Sequence, residues 1–222
     1  MLLAVDTSTA QVGLALYDGA QVVGELSWHS QAHHTQQLAP AIADLLRRSG
    51  TKMDAVQALG VALGPGSFTS LRVGLALVKG LALARHLPVV GIPTLDILAA
   101  AMPVHEPALA TVLQAGRGRL AVGWYKPGEN GWQSQGPAQV TTAEELSHRI
   151  RQRTLVCGEL SPEERGRLER KIKNVLLASP AQCVRRPGVL AELAWRDWQA
   201  GKAASPAALA PIYLHVAGGL PS

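Results

Sequence analysis

The sequence predicts an α/β protein made of two units, the second a weaker copy of the first. Three observations carry this. Over the first hundred residues, short apolar runs and helical stretches follow the order β-β-β-α-β-α-β-α. A fainter version of that order restarts after Met102 to Pro107, a stretch with two prolines that marks the boundary between residues 1–102 and 103–222. Finally, 222 residues at 47% hydrophobic content can fill two cores, and an aromatic content of 4% means that Leu, Val and Ala must build them.

In the first unit, Leu2 to Val5 is a short apolar strand ending in Asp6-Thr7-Ser8-Thr9. Gln11 to Tyr17 alternates in part, Asp18-Gly19 is a hairpin turn signal, and Gln21 to Trp28 supplies a third strand. His33 to Ser49 reads as a helix with Leu38, Ile42, Leu45 and Leu46 on one side and Gly50 as its terminator. Pro40 conflicts with an early start, so the regular helix begins near Ala39 or is kinked there.

Ala58 to Leu63 is a buried strand leading into Gly64-Pro65-Gly66-Ser67-Phe68-Thr69-Ser70-Leu71-Arg72-Val73-Gly74. Proline fixes φ and the flanking glycines tolerate unusual conformations, so the chain turns tightly here. Ser67 stands where a helix N-cap belongs. The helix that follows to Arg85 is apolar on nearly every face, interrupted only by Arg72, Lys79 and Arg85. Such a helix is a central core element or one covered by a partner. Gly74 and Gly80 each cost roughly 1 kcal/mol against Ala in a helix interior, which makes sense where another backbone approaches closely. Leu87 to Ile92 is the next strand, and Pro93-Thr94 leads into a helix over Leu95 to Ala101. This order resembles the ribonuclease-H-like unit of actin-like proteins.

The second unit repeats it. Leu109 to Ala115 and Arg119 to Tyr125 are strands split by Gly116-Arg117-Gly118, and Trp132 to Val140 is a poor third strand. Thr142 with Glu145 is a capping-box signature opening a helix to about Gln152. Leu155 to Gly158 is a strand, Pro162 to Lys171 a charged helix, Val175 to Ala178 a strand, and Val189 to Ala200 a helix. Ala207 to Val216 is extended.

Charge is lopsided. Residues 1–102 hold six basic and six acidic residues, whereas residues 103–222 hold fifteen and ten, which is the whole net excess of +5. The basic clusters are Arg149, Arg151 and Arg153, then Arg165, Arg167, Arg170, Lys171 and Lys173. Glutamates at 159, 163, 164 and 169 dilute the second, which reads as a solvated helix face, with a nucleic-acid footprint as the alternative. No apolar run is long enough for a membrane span, and Met1 to Asp6 lacks a basic n-region, so neither a membrane segment nor a signal peptide is expected. Cys157 and Cys183 form no CxxC, which fits two reduced, structural thiols in a cytoplasmic protein.

Motifs for catalysis are sparse. Asp6-Thr7-Ser8 is a turn of the kind that handles a metal–phosphate end in actin-like ATPases, but Ser8 stands where glycine is usual, and turn residues bonding their own backbone read equally well. Gly64 to Ser67 is neither a Walker A loop nor a nucleophile elbow. His29 and His33 have an H-x-x-x-H spacing without a third ligand or a base, and read as surface residues. No carboxylate pair or Ser/His/Asp set emerges from spacing.

Asp6-Thr7-Ser8, the His34-Thr35…Leu38…Pro40 segment, GPGSFT-x-LRVG over 64–74 and Gly91-Ile92-Pro93-Thr94-Leu95 together resemble the TsaB (YeaZ) family. That family is the non-catalytic subunit of bacterial threonylcarbamoyladenosine synthesis on tRNA, a paralogue of TsaD. The match covers residues 1–100; beyond about 105 it rests on the weak repeat and on Pro211-x-Tyr213-Leu214. Ser70 replaces a usual glycine, which stiffens that turn, and His215 replaces a frequent arginine. TsaD holds a metal with an H-x-x-x-H helix where this chain reads Thr94-Leu95-Asp96-Ile97-Leu98, and TsaD's second-lobe nucleotide loop has no counterpart.

The resemblance implies an actin-like (ASKHA) fold of two lobes and a scaffold rather than an enzyme. It implies TsaD as partner, TsaE in the larger complex, a homodimer when alone and tRNA reached through the complex. No cofactor is expected to bind tightly, with ATP and metal on the partner subunits and Asp6, Thr7 and Ser8 a vestigial phosphate turn. The expected interface is Leu38, Ile42, Leu45 and Leu46 with Val73, Leu77, Val78 and Leu81. The competing readings are a small actin-like ATP-dependent kinase, with Asp96 as a poor general base, and a glycoprotease-type metallopeptidase, which lacks ligands.

Overall fold

The computed structural model describes residues 1–30, 34–104, 107–171 and 173–214. These residues form eleven strands and six α-helices, grouped into two compact units. The first comprises Met1–Ile97 with Arg185–Ile212; the second comprises Leu98–Val184 with the chain from Tyr213.

The first unit is a five-stranded sheet in the order β3-β2-β1-β4-β5. Its strands are β1 (Leu2–Asp6), β2 (Gln11–Tyr17), β3 (Val22–His29), β4 (Ala58–Gly64) and β5 (Val89–Pro93). β1 pairs antiparallel with β2 and parallel with β4. Because side chains alternate across a strand, β1 feeds two cores. Leu3 and Val5 point to a layer with Leu38, Ile42 and Leu45 of α1 (His34–Arg48) and Leu75 and Val78 of α2 (Phe68–Arg85). Leu2 and Ala4 point the other way and meet Leu190, Ala191 and Ala194.

Those last three residues belong to α6 (Pro187–Gln199), the final helix of the chain. A single division at residue 102 therefore does not describe the molecule: α6 returns to cover the open face of the first sheet. Only small residues let it settle there. A Cβ on Gly60 would lie 2.8 Å from the Ala194 Cβ, and one on Gly13 3.0 Å from Pro187. Glu25 fixes its start, accepting from Arg186 Nε at 3.1 Å, from Arg186 Nη2 at 2.7 Å and from the Gly188 amide at 3.2 Å.

The second unit has the strands β6 (Ala108–Gln114), β7 (Leu120–Gly128), β8 (Gly131–Ser134), β9 (Gln139–Thr141), β10 (Thr154–Gly158) and β11 (Val175–Leu177). Its main path, β11-β10-β6-β7-β8, repeats the order of the first sheet, with β9 added beside β7. The poor third strand expected over 132–140 is thus two short ones, because Gly136 turns the chain at a φ of 131° between them. The capping box of α4 (Ala143–Arg149) forms between Thr142 and Glu145, and Ser161 and Glu164 make a second one for α5 (Pro162–Glu169). α1 runs through Pro40 rather than starting at Ala39; this proline lies on the exposed face, where water can satisfy the carbonyl left unpaired. α3 (Thr94–Ala100) follows β5 directly.

Candidate functional site

The turn after β1 is fully buried: Asp6 is 3% exposed, Thr7 2% and Ser8 0%. Its polar atoms are taken by the protein itself. The Asp6 carboxylate accepts the Ser8 amide on Oδ1 at 2.8 Å and the Arg185 Nε on Oδ2 at 2.8 Å. The same guanidinium donates to Thr9 Oγ1 at 2.8 Å and to the Gln11 carbonyl at 2.9 Å. Thr7 donates to the Ser70 carbonyl at 2.8 Å, and Ser8 shares a 2.7 Å hydrogen bond with Thr94. A metal–phosphate group would need the space and the charge balance that Arg185, 1% exposed, already supplies. The turn does not fit such a group.

The Gly64–Gly74 segment is the other half of this arrangement. The Ser67 amide donates to the Ser8 carbonyl at 2.7 Å, and a Cβ on Gly66 would sit 2.1 Å from that same oxygen. A Cβ on Gly74 would fall 2.1 Å from Thr7 Oγ1. The close approach expected at Gly74 is therefore made by the Asp6 turn. Gly80 has nothing within 4 Å and lies on the exposed face of α2. Ser67 caps α2 as expected, accepting from the Ser70 amide at 3.4 Å, and the Ser70 hydroxyl adds a 3.1 Å bond to the cap.

α1 and α2 present an apolar groove of about 440 Å³, lined chiefly by Leu38, Ala39, Phe68, Val73, Ala76 and Leu77. Of the residues expected at an interface, Leu46, Val73, Leu77 and Leu81 are half-buried. Leu38, Ile42, Leu45 and Val78 are instead core, packed under β1 and β2, with Leu38 only touching the groove floor. The register was the missing information: the outward stripe of α2 is Arg72, Ala76, Gly80 and Leu83, spaced as one helical face. Phe68, 54% exposed, stands at the groove's end with the Arg72 guanidinium 3.6 Å above its ring.

Elsewhere the histidine spacing comes to nothing testable, since His29 is exposed and His33 lies outside the described residues, as does His215. Among the described residues no group of three His, Cys, Asp or Glu is arranged to hold a metal ion. In α3, Ile97 and Leu98 are fully buried and Thr94 bonds the Gly64 amide at 3.0 Å, so this helix anchors the Gly-Pro-Gly turn. No helix among the described residues is long and apolar enough to cross a membrane.

Two features escaped the sequence. Arg185 carries no local motif, and its partner is 179 positions away. Cys157 and Cys183, which spacing alone kept apart, meet in the second unit. Cys157 Sγ donates to the Gln182 carbonyl at 3.5 Å and Cys183 Sγ to the Ala178 carbonyl at 3.7 Å. The neighbouring Cys157 thiol, with the Gly158 amide and Arg165, lowers Cys183 to about 6, and Cys157, beside it and buried, is pushed up.

The family model of TsaD, tRNA N6-adenosine threonylcarbamoyltransferase, matches residues 26–162, more than half of the chain. The TsaB protein of Escherichia coli (strain K12), named for tRNA threonylcarbamoyladenosine biosynthesis, is 32% identical over 154 residues, 68% of this chain and 66% of that one. The TsaB of Haemophilus influenzae is 42% identical over 108 residues, 47% of this chain and 44% of that one. The chain thus spans about half to two thirds of the length of the curated relatives it matches. Among solved structures, YeaZ from Pseudomonas aeruginosa is 25% identical with a TM-score of 0.79, covering 96% of this chain and 99% of that one. The ethanolamine utilization protein EutJ of Carboxydothermus hydrogenoformans, at 15% identity and a TM-score of 0.52, covers 85% and 88% and shares the actin-like fold alone. With the same strand order in both units and the GPGSFT segment locked onto the Asp6 turn, this chain belongs to the TsaB/YeaZ family, within the wider threonylcarbamoyltransferase (TsaD) group.

Proposed function

We propose that this chain is a non-catalytic subunit of the machinery that installs threonylcarbamoyl on the tRNA adenosine beside the anticodon. In this reading it binds TsaD, works with TsaE in the larger complex and acts in the cytoplasm. The observation that carries it is Arg185, which fills the turn where an actin-like enzyme handles metal and phosphate. A chain so filled keeps the fold and offers surface rather than chemistry; ATP and metal belong to the partner subunits. The α1–α2 groove supplies that surface, apolar and set beside an exposed aromatic–arginine pair. The same face would pair two copies of the chain when TsaD is absent.

The test is titration calorimetry of the purified chain against TsaD of the same organism. Parent protein should bind, and Leu77→Glu should weaken binding roughly 30-fold or more, equivalent to over ~2 kcal/mol at an apolar anchor. Under the same conditions, the chain alone should neither bind nor hydrolyse ATP. Stoichiometric ATP binding by the chain alone would favour the kinase reading and sink this one.

A further inference from the structure

The two basic runs of the second unit are separate in sequence but joined in space. β10 and β11 are parallel neighbours whose first rung is Thr154 with Val175. The loops leading into them are stapled together: the Thr154 amide donates to the Asn174 carbonyl at 2.8 Å, and the Asn174 side chain donates to the Arg151 carbonyl at 3.0 Å. Arg151 to Arg153 therefore lie against Asn174 at one end of the sheet, and Arg170, Lys171 and Lys173 belong to the turn that leads from α5 to Asn174. Arg151, Arg153, Arg170, Lys171 and Lys173 are all exposed there.

The neighbouring acids do not neutralise them. Arg167 is held by Glu163 at 2.8 Å and faces Glu144 at 3.5 Å, while Arg165 lies 3.9 Å from Glu169 and also donates to the Ala178 carbonyl. The solvated-face reading thus applies to Arg165 and Arg167. Among the described residues, none of the five loop cations makes an ion pair within 4.0 Å. Holding five like charges together without partners is unfavourable, and a polyanion that displaces its counterions would relieve it.

We propose that this end of the second sheet is a docking surface for the phosphate backbone of RNA. Three of the five cations are arginines, whose planar forks match phosphate oxygens. A lipid surface fits less well, because among the described residues none of the exposed large hydrophobics lies in either loop and an interfacial anchor needs one. The identification of the RNA as tRNA rests on the function proposed above; the phosphate chemistry does not.

The experiment is fluorescence anisotropy with dye-labelled unmodified tRNA, using the full chain alone and with equimolar TsaD, in 50 to 300 mM KCl as a trial range of ~6-fold. Binding should fall with salt at a log–log slope of about −3 to −4 for four or five phosphate contacts. Reversing Arg151, Arg153, Lys171 and Lys173 to Glu should lose at least ~10-fold in affinity and flatten the slope, and the four Gln changes should lie between. Arg47→Glu with Arg48→Glu, on α1 of the first unit, should leave it unchanged. Circular dichroism checks folding of each variant, and calorimetry with TsaD runs in parallel. A charge-reversed chain that binds tRNA like the parent in both formats overturns the proposal. So does a parent that binds no RNA in either, or one that prefers phosphatidylglycerol vesicles. A parent that binds RNA through the patch but not TsaD leaves the surface standing and sinks the subunit reading. Loss of RNA binding with intact TsaD binding supports both.

Discussion

The Arg185 guanidinium and the Asp6 carboxylate meet at 2.8 Å, both almost wholly buried, and join the start of the chain to the segment that enters α6. Removing one partner leaves an uncompensated buried charge, which costs about 3–5 kcal/mol. Arg185→Met should therefore destabilise strongly in urea unfolding. Adding Asp6→Asn should recover much of the loss, because neither charge then remains. Additive single and double changes would show that the two residues do not act as a pair.

The glycines of the central motif separate into two kinds. Gly66→Ala and Gly74→Ala must push a Cβ into the Ser8 carbonyl and the Thr7 hydroxyl, costing on the order of 2–3 kcal/mol each. Gly80→Ala meets nothing and should stabilise by up to ~1 kcal/mol, as Ala for Gly does in a helix. Thermal unfolding of the three variants checks the order. A destabilised Gly80→Ala would contradict the open surface assigned to it.

This split shows where the sequence could be read and where it could not. Strands, turns and caps leave local marks, so Ser67 and the Thr142–Glu145 box stand where they were expected. The apolar run of β1 is equally legible as a strand. What failed were facts set by pairings distant in sequence. α6 looks like one more element of the second unit until it is seen against β1 and β4. Arg185 before it has no local signal, because its partner Asp6 lies 179 positions away. On α2, where nearly all positions are apolar, periodicity cannot say which side faces the sheet, so it does not separate the buried Val78 from the exposed Ala76.

Glu25 ties acid stability to the seating of α6. The Arg186 hydrogen bond, the Gly188 amide and the Arg186 charge hold its carboxyl below the usual carboxylate range, against the opposing effect of burial. A depressed folded value means that the stabilisation is present above the ordinary carboxylate pKa and lost as the pH falls through the folded one. Glu25→Gln should lower the melting temperature by about 2 °C at pH 7, given a contribution below ~1 kcal/mol for a pair partly open to solvent. The difference from the parent should shrink as the pH falls below the ordinary carboxylate range. A difference that persists there would assign the effect to packing.

The thiol pair makes a separate prediction about pH. With Cys183 lowered to about 6, folding gains stability as the pH rises from there towards the ordinary thiol value, where the unfolded chain ionises too. Thiolate absorbance near ~240 nm should show one group titrating close to pH 6 and the second only above the ordinary thiol range. Cys157→Ala, which removes the neighbouring thiol, should shift the low titration upward. If both thiols of the parent titrate near ~8.5, Cys157 and Cys183 are not coupled.

The groove between α1 and α2 yields the prediction that bears most directly on function. If one face serves both a second copy and TsaD, the two assemblies exclude each other, a two-fold contact giving way to a pseudo-symmetric one. Light scattering on a sizing column should then show a dimer converting to a heterodimer as TsaD is added. The decisive variant is Ala76→Arg. Ala76 is exposed in the middle of the outward stripe and lines the groove, so the long cation should leave folding intact while blocking close approach. Both assemblies should weaken together, by roughly 30-fold or more, for a change at the centre of an apolar patch. Val78→Glu is the contrast: with Val78 fully buried under the sheet, it should unfold the chain rather than merely separate it from partners. If Ala76→Arg abolishes the homodimer but leaves TsaD binding at parental strength, the two contacts use different faces.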